Sequence, residues 1–356
     1  MRSFNRTARF TILAVSLLAV TTAVSACGGN SNTDAPPSSA ANAGNTPPSA
    51  NDADKPANDA SNGSGGANAR QTDAAATRTV NTTKGEIEIP ADPQRIVAGY
   101  YSGTLLALGI QPVGGSKEWW MGSPFLTKQE ASIADIGSPA SAEKVLALKP
   151  DLIVINDTLS EEYDDLAKIA PTMFIAYESI KNIHDEVKQF GALMNRTKEA
   201  EAWEAEYDSK AEQAREKLKG KVKPGMTAVL LEADGKTLAV MGDNYGRGGE
   251  VIYNALRFKA PDWVQKNVID NGVQYQEISM EKLGEIANAD YIFLSTYEGT
   301  TEAQLKAVTD SSIWKSLPAV KQGHLIPLDY KTYFYFDPVS VLGQIDALTQ
   351  TLLESK

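Results

Sequence analysis

Two stretches of the chain resemble each other, and this internal likeness constrains the fold more than any other feature. Ser141 opens SAEKVLALKPDLIVIN and Ser279 opens SMEKLGEIANADYIFLS. Each has a serine, a glutamate two residues on, then lysine and an apolar residue, and each closes on an aspartate followed by an apolar run. A short apolar run bounded by polar residues predicts a strand buried on both faces, as in parallel sheets. A helical stretch leading into such a strand, twice, predicts an α/β chain: two related lobes with parallel-rich sheets. In both copies the serine can cap the helix, and Glu143 and Glu281 fall in its first turn, where the helix dipole favours negative charge. That local role is enough to explain both glutamates without function.

Other segments fill the lobes. PQRIVAGYYSGTLLALGIQPVGG reads as an ordered segment with an apolar helical pattern and a turn, preceded by a strand in TKGEIEIP. DLIVIN at 151–156 and TMFIAY at 172–177 fit buried parallel strands. TAVLLEA at 227–233 begins the second lobe, and KTLAVMGD reads as a further strand. Between the lobes, Trp203, Tyr207, Ala211, Ala214 and Leu218 fall on one face at helical spacing, with charges elsewhere. One long amphipathic helix over 195–222 therefore joins an N-terminal lobe, 81–194, to a C-terminal lobe, 223–356.

The start of the chain has a different character. Arg2, Arg6 and Arg9 precede the apolar FTILAVSLLAV, and AVSAC ends on Cys27, the single cysteine. This predicts an export signal over residues 1–26, because the apolar run is short against the roughly 20 residues of a bilayer span. VSAC followed by Gly28 and Gly29 resembles a bacterial lipobox, which implies a lipid on Cys27. Residues 27–80 are mostly Ala, Asn, Ser, Gly, Pro, Asp and Thr, a composition that cannot offset its ordering entropy and reads as a flexible tether. The formal charge is −11, and loss of the three leader arginines deepens it to −14, which makes nucleic acid and anionic lipid surfaces poor general partners.

GDNYGRGGEV, residues 242–251, carries four glycines around Tyr245 and Arg247. It lacks the lysine and hydroxyl of a P-loop, and its glycine spacing is not that of a dinucleotide fingerprint. The remaining reading is a strand-to-helix turn that lets a ligand approach the backbone, with the following helix aiming free N–H groups at the same space. Arg247 offers a permanent charge and a planar fork of donors suited to an oxygen-rich ligand, or to a local carboxylate. Aromatic residues gather near loop positions: Tyr100 and Tyr101, Trp119 and Trp120, Tyr297, and Tyr330, Tyr333, Phe334, Tyr335 and Phe336. Several follow apolar runs, where open α/β sheets place ligands, although alternate residues of YFYF can equally be core. Catalytic residues and protein-bound metal are not expected. His184 and His324 stand far apart, no nucleophile elbow is present, and the His/Cys spacing of a transition-metal site is missing.

Taken together, PQRIVAGYYSGTLLALGIQPVGG, ASIADIGSPASAEKVLALKPDLIVI, YGRGGEVIYNALRFKAP, ISMEKLGEIANADYIFLS and YFYFDPVSVLGQIDAL resemble the lipoprotein substrate-binding components of ABC importers for iron-siderophore complexes, cobalamin and haem. The resemblance, over residues 84–356, implies two α/β lobes on one long helix, limited closure, and a shallow cleft between the lobes. It implies no enzyme activity and no cofactor, a ferric siderophore as ligand, an ABC permease as partner, a lipid-anchored monomer outside the cytoplasm, and an outer Gram-positive surface. Glu143 and Glu281 match the helix-start glutamates that dock on the permease. Arg247 matches the position that contacts the chelating oxygens, and Tyr100, Trp119, Trp120, Tyr245, Tyr297, Tyr330 and Tyr333 are the aromatic candidates for packing around the chelate. A ferric triscatecholate is multiply anionic and asks for several basic groups, whereas a ferric trihydroxamate is near neutral. Arg247 is the one clear cation among the candidates, with Lys117 and Lys331 possible, which favours a hydroxamate over a catecholate, a carboxylate siderophore or a corrinoid.

Overall fold

β1 (Thr77–Thr82) and β2 (Gly85–Pro90) form an antiparallel hairpin whose Val80 and Ile89 face the core. This computed structural model describes residues 76–355, apart from Lys236 and the side chain of Trp119. The leader, Cys27 and nearly all of the 27–80 segment lie outside the described residues. The end of that segment is corrected by β1, which takes in Thr77 to Val80: alternation of Val80 with polar neighbours suits a half-buried strand, and Ile87 and Ile89 supply its partner's apolar face.

The N-terminal lobe is a five-stranded sheet of β3 (Ile96–Ala98), β4 (Gly114–Gly115), β5 (Ala134–Asp135), β6 (Leu152–Ile155) and β7 (Thr172–Phe174). Their order is β5-β4-β3-β6-β7 and every pairing is parallel. The C-terminal lobe repeats the plan with β8 (Ala228–Asp234), β9 (Thr237–Met241), β10 (Tyr275–Ile278), β11 (Tyr291–Thr296) and β12 (Leu325–Leu328), in the order β10-β9-β8-β11-β12. Here β8, β11 and β12 are parallel while β9 runs antiparallel to both β8 and β10. The two similar stretches lead into β6 and β11, which hold the same place in their sheets. LIVI and the YIFLS run are buried throughout because each sheet has apolar layers on both faces.

The two copies differ at the helix start. Ser141 accepts a bond from the Lys144 amide, whereas Ser279 makes no side-chain cap and its segment begins as a 3-10 turn, Met280–Lys282, before Leu283–Ile286. The expected cap therefore holds for the first serine and not for the second. The connecting helix is Thr197–Leu218, and the five expected residues, with Ala200, form its buried stripe. They join a core containing Val154 of one sheet and Phe293 of the other, so one helical face serves both lobes.

Candidate functional site

Parallel strands present their carboxyl ends on one side, and in the N-terminal lobe that side carries the aromatic loops. Tyr100 follows β3, Trp120 follows β4, Thr158 follows β6 and Tyr177 follows β7. The sheet order reverses between β3 and β6, the position where open α/β sheets bind ligands. From the other lobe come Tyr245 and Arg247 after β9, and Phe334, Tyr335 and Phe336 after β12. Together these residues enclose a cavity of about 310 Å³. Tyr177 and Tyr245 meet across the lobes with ring centroids 4.9 Å apart, and Tyr100 packs edge-on to Tyr177 at 5.6 Å and to Trp120 at 4.9 Å.

The composition of the glycine-rich turn has its reason here. Tyr245, Gly246, Arg247 and Gly248 all have positive φ, from 62° to 95°. At Gly246 a Cβ would lie 2.5 Å from the Phe334 carbonyl oxygen, so only glycine lets this turn sit against the aromatic loop. The non-glycine left-handed conformations of Tyr245 and Arg247 are costly, of order 1 kcal/mol each, and both occur at the cavity wall. The six-residue helix that follows, Glu250–Ala255, is π-wound and opens with buried Glu250, which accepts bonds from Tyr207 and Asn254. Arg247 is the last residue of this turn to line the cavity, and the expected helix-start residues that follow it do not line it.

Arg247 is 9 % exposed and its Nε donates to Glu232 of β8, itself 8 % exposed. Its guanidinium lies over the rings of Phe334 and Tyr330, 4.5 and 5.0 Å from their centroids. Arg247 therefore lines the cavity while a local carboxylate balances it. Two other carboxyls line the cavity. Glu186, 7 % exposed, accepts from Thr104, and burial, reinforced by nearby Asp337, raises its carboxyl to about 8. Burial likewise pushes Asp337 up, against the opposing bonds from Ser340. The phenols of Tyr100, Tyr177 and Tyr245 are raised mainly by burial and stay protonated.

Of the candidate residues, Tyr100, Trp120, Tyr245 and Arg247 come together at the cavity. Tyr297 and Tyr330 pack edge-on against each other at 5.4 Å outside its wall, and Tyr330 lies against the Arg247 guanidinium. Tyr333 is a correction: it is 4 % exposed, part of the core, and its ring abuts Gly248, as alternation in YFYF allows. Trp119 has its backbone in the short helix Lys117–Trp120, and its side chain lies outside what is described. Lys117 and Lys331 are exposed and do not line the cavity, whose one guanidinium or ammonium among the described residues is Arg247. Glu143 and Glu281 are exposed.

The residues missed from sequence are Tyr177, Glu186, Gln274, Asp337 and Glu232. Glu232 was visible as a lone charge inside the apolar TAVLLEA, which requires a buried partner. Glu186 gave no signal, because IHDEVKQF is an ordinary amphipathic pattern. Among the described residues no group of three or more His, Cys, Asp or Glu is placed to hold a metal ion, and no helix is long and apolar enough to cross a membrane.

The description "Periplasmic binding protein" matches residues 96–332 of this chain. The chain belongs to the periplasmic binding protein family. Members of this family are substrate-binding proteins. The chain is 39 % identical over 279 residues to the iron(3+)-hydroxamate-binding protein YxeB of Bacillus subtilis, covering 78 % of this chain and 85 % of that one. Identity to the iron(3+)-hydroxamate-binding protein FhuD of the same organism is 35 %, over 78 % of this chain and 87 % of that protein. Among solved structures, FhuD2 from Staphylococcus aureus with bound ferrioxamine B superposes with a TM-score of 0.63 at 26 % identity, over 74 % of this chain and 99 % of that one. A Bacillus subtilis periplasmic binding protein component of a Fep/Fec-like ferrichrome ABC transporter gives 0.69 at 33 % identity, over 77 % and 100 %. Two lobes with parallel-rich sheets joined by a long helix are the fold these proteins share with the chain.

Proposed function

We propose that the protein captures a ferric hydroxamate siderophore in the cavity between its lobes and delivers it to the permease of an ABC importer. The observation that carries this reading is the charge state of an aromatic cavity whose single guanidinium already has Glu232 as counter-ion. Such a wall offers packing, phenol hydroxyls and an oriented donor fork, but little net positive charge. A near-neutral ferric trihydroxamate fits that environment, while a multiply anionic triscatecholate would enter it without a compensating cation. The names of YxeB, FhuD and the ferrioxamine-bound FhuD2 support the same class.

The chelator holds the iron, so the protein acts without catalysis and without metal ligands of its own. Tyr100, Trp120, Tyr177 and Tyr245 pack on the chelate and Arg247 addresses its oxygens. Glu143 follows β5 and Glu281 follows β10, the corresponding edge strands of the two sheets. Both are exposed, one beyond an edge strand of each sheet, and are suited to cationic partners on a permease. The lipid on Cys27 holds the body at the outer face of the membrane, and a relative described as a probable siderophore-binding lipoprotein supports that anchoring.

Titration of intrinsic fluorescence tests the reading, using a ferric trihydroxamate, a ferric triscatecholate and a corrinoid. Saturable quenching by the hydroxamate at submicromolar concentration, weakened by roughly tenfold or more in Arg247→Ala, is expected. Preference for the triscatecholate would overturn the charge argument, and silence with all three would remove the siderophore class.

A further inference from the structure

The floor of the cavity carries two carboxyl groups that no cation in the wall answers. The helix Ser102–Ala107 begins there between two carboxyl groups. On one side Asp337 packs so closely that a Cβ on Gly103 would lie 2.4 Å from the Asp337 Cβ. On the other, Glu186 accepts from Thr104 Oγ1 through one oxygen. Asp337 has a structural role, since it caps the C-terminal helix Pro338–Glu354, accepting from the Ser340 amide at 2.9 Å and from its hydroxyl.

Glu186 has no comparable role. It is more than nine-tenths buried, it lines the cavity, and among the described residues no donor bonds its second oxygen. The charged group that acts on it is Asp337, of like sign. A glutamine could keep the Thr104 bond without the cost of placing two acids together. The rings of Tyr100, Tyr101 and Tyr177 surround this floor, with centroid separations of 4.9 Å from Tyr100 to Tyr101 and 5.6 Å from Tyr100 to Tyr177. Carboxyl oxygens framed by aromatic faces form an environment that attracts an ammonium group. Arg247 reaches the cavity from the opposite lobe and is neutralised by Glu232.

We infer that Glu186, backed by Asp337 and the surrounding tyrosine rings, forms a subsite for a primary ammonium group on the ligand, so that the cavity selects ferric trihydroxamates ending in a free amine over uncharged ones. This inference rests on the siderophore reading and adds the charge of the preferred ligand to it. The chelate oxygens turn toward Arg247 and the cationic arm turns toward the helix start at Gly103 and Thr104, which fixes the orientation of an elongated ligand.

Ferrioxamine B, which ends in a primary ammonium, and its N-acetyl derivative differ in that charge while keeping the same iron core. Titrating both against the intact protein and against Glu186→Gln tests the subsite. Acetylation is expected to weaken binding to the wild-type protein by roughly tenfold, and the difference between the two ligands should fall to within about twofold in the variant. Equal affinities for the two ligands in the wild-type protein would overturn the subsite and leave the siderophore reading standing, as would the same loss on acetylation in both proteins. Failure of both ligands to bind would remove the siderophore reading and the subsite with it. The wild-type comparison needs no variant, so it holds even if Glu186→Gln folds poorly.

Discussion

At the scale of residues, the Arg247–Glu232 pair is the buried ion pair on which the proposed charge selectivity rests. Its side chains are 11 % and 10 % exposed, so removing one partner strands a buried charge. Glu232→Ala should cost about 3 kcal/mol in urea unfolding, whereas replacing both residues by apolar ones of similar volume should cost far less. The milder Glu232→Gln should also release the guanidinium toward the cavity and narrow the discrimination between a triscatecholate and a trihydroxamate, measurable by competitive titration. A variant that keeps full discrimination would mean that the pair does not set the charge of the site. Arg247 was legible because glycines around a lone arginine are unusual. The cavity acids were not, because Glu186 and Asp337 look like any helix-face acid and any helix cap until tertiary packing brings them to Thr104 and Gly103.

At the scale of elements, three helices meet at His184. Its Nε2 lies 3.6 Å from Glu250 Oε1 and its Nδ1 2.8 Å from Glu204 Oε2, tying the helix Ile183–Leu193 to the connecting helix and to the π-wound helix. Glu250 acts most strongly because it is buried, Glu204 adds to it, and together they raise the imidazole from 6.5 to about 9. A histidine with a raised folded pKa contributes stability that is complete below its unfolded value and is lost as pH climbs through the folded one. Glu186 titrates in the same sense, from 4.5 to about 8, since the folded state keeps its proton longer than the unfolded chain. The melting temperature should therefore fall with alkalinity, with the part between pH 8 and 9 belonging to His184 and absent in His184→Gln. An unchanged slope there would show that the imidazole is not shared between the carboxylates. The connecting helix itself was readable at the level of single residues, since its stripe of Trp203, Tyr207, Ala211, Ala214 and Leu218 obeys helical spacing. The histidine was not, because its partners lie 20 and 66 residues further along the sequence.

At the scale of the molecule, related sheets face one cavity and leave Glu143 and Glu281 exposed, each after an edge strand of its sheet. Charge reversal at both positions should abolish iron uptake by cells while leaving solution affinity for the siderophore unchanged, and retained uptake would remove these residues from docking. The lobes are bonded across the cleft on both flanks, by Tyr335 to the Met121 carbonyl at 3.1 Å and by Asn244 to the Lys181 carbonyl, which restricts how far they can separate. The repeated sequence announced the two lobes, but which aromatic loops converge depended on sheet order, and that order is set by long-range pairing that local patterns do not encode. Capture of the chelate between the lobes is tested most directly by the iron anomalous signal in crystals of the protein grown with a ferric trihydroxamate. A single peak enclosed by Tyr100, Tyr177, Tyr245 and Arg247 is the predicted result. A peak elsewhere, such as the basic groove at Arg215 and Arg257, with the aromatic cavity empty, would contradict it.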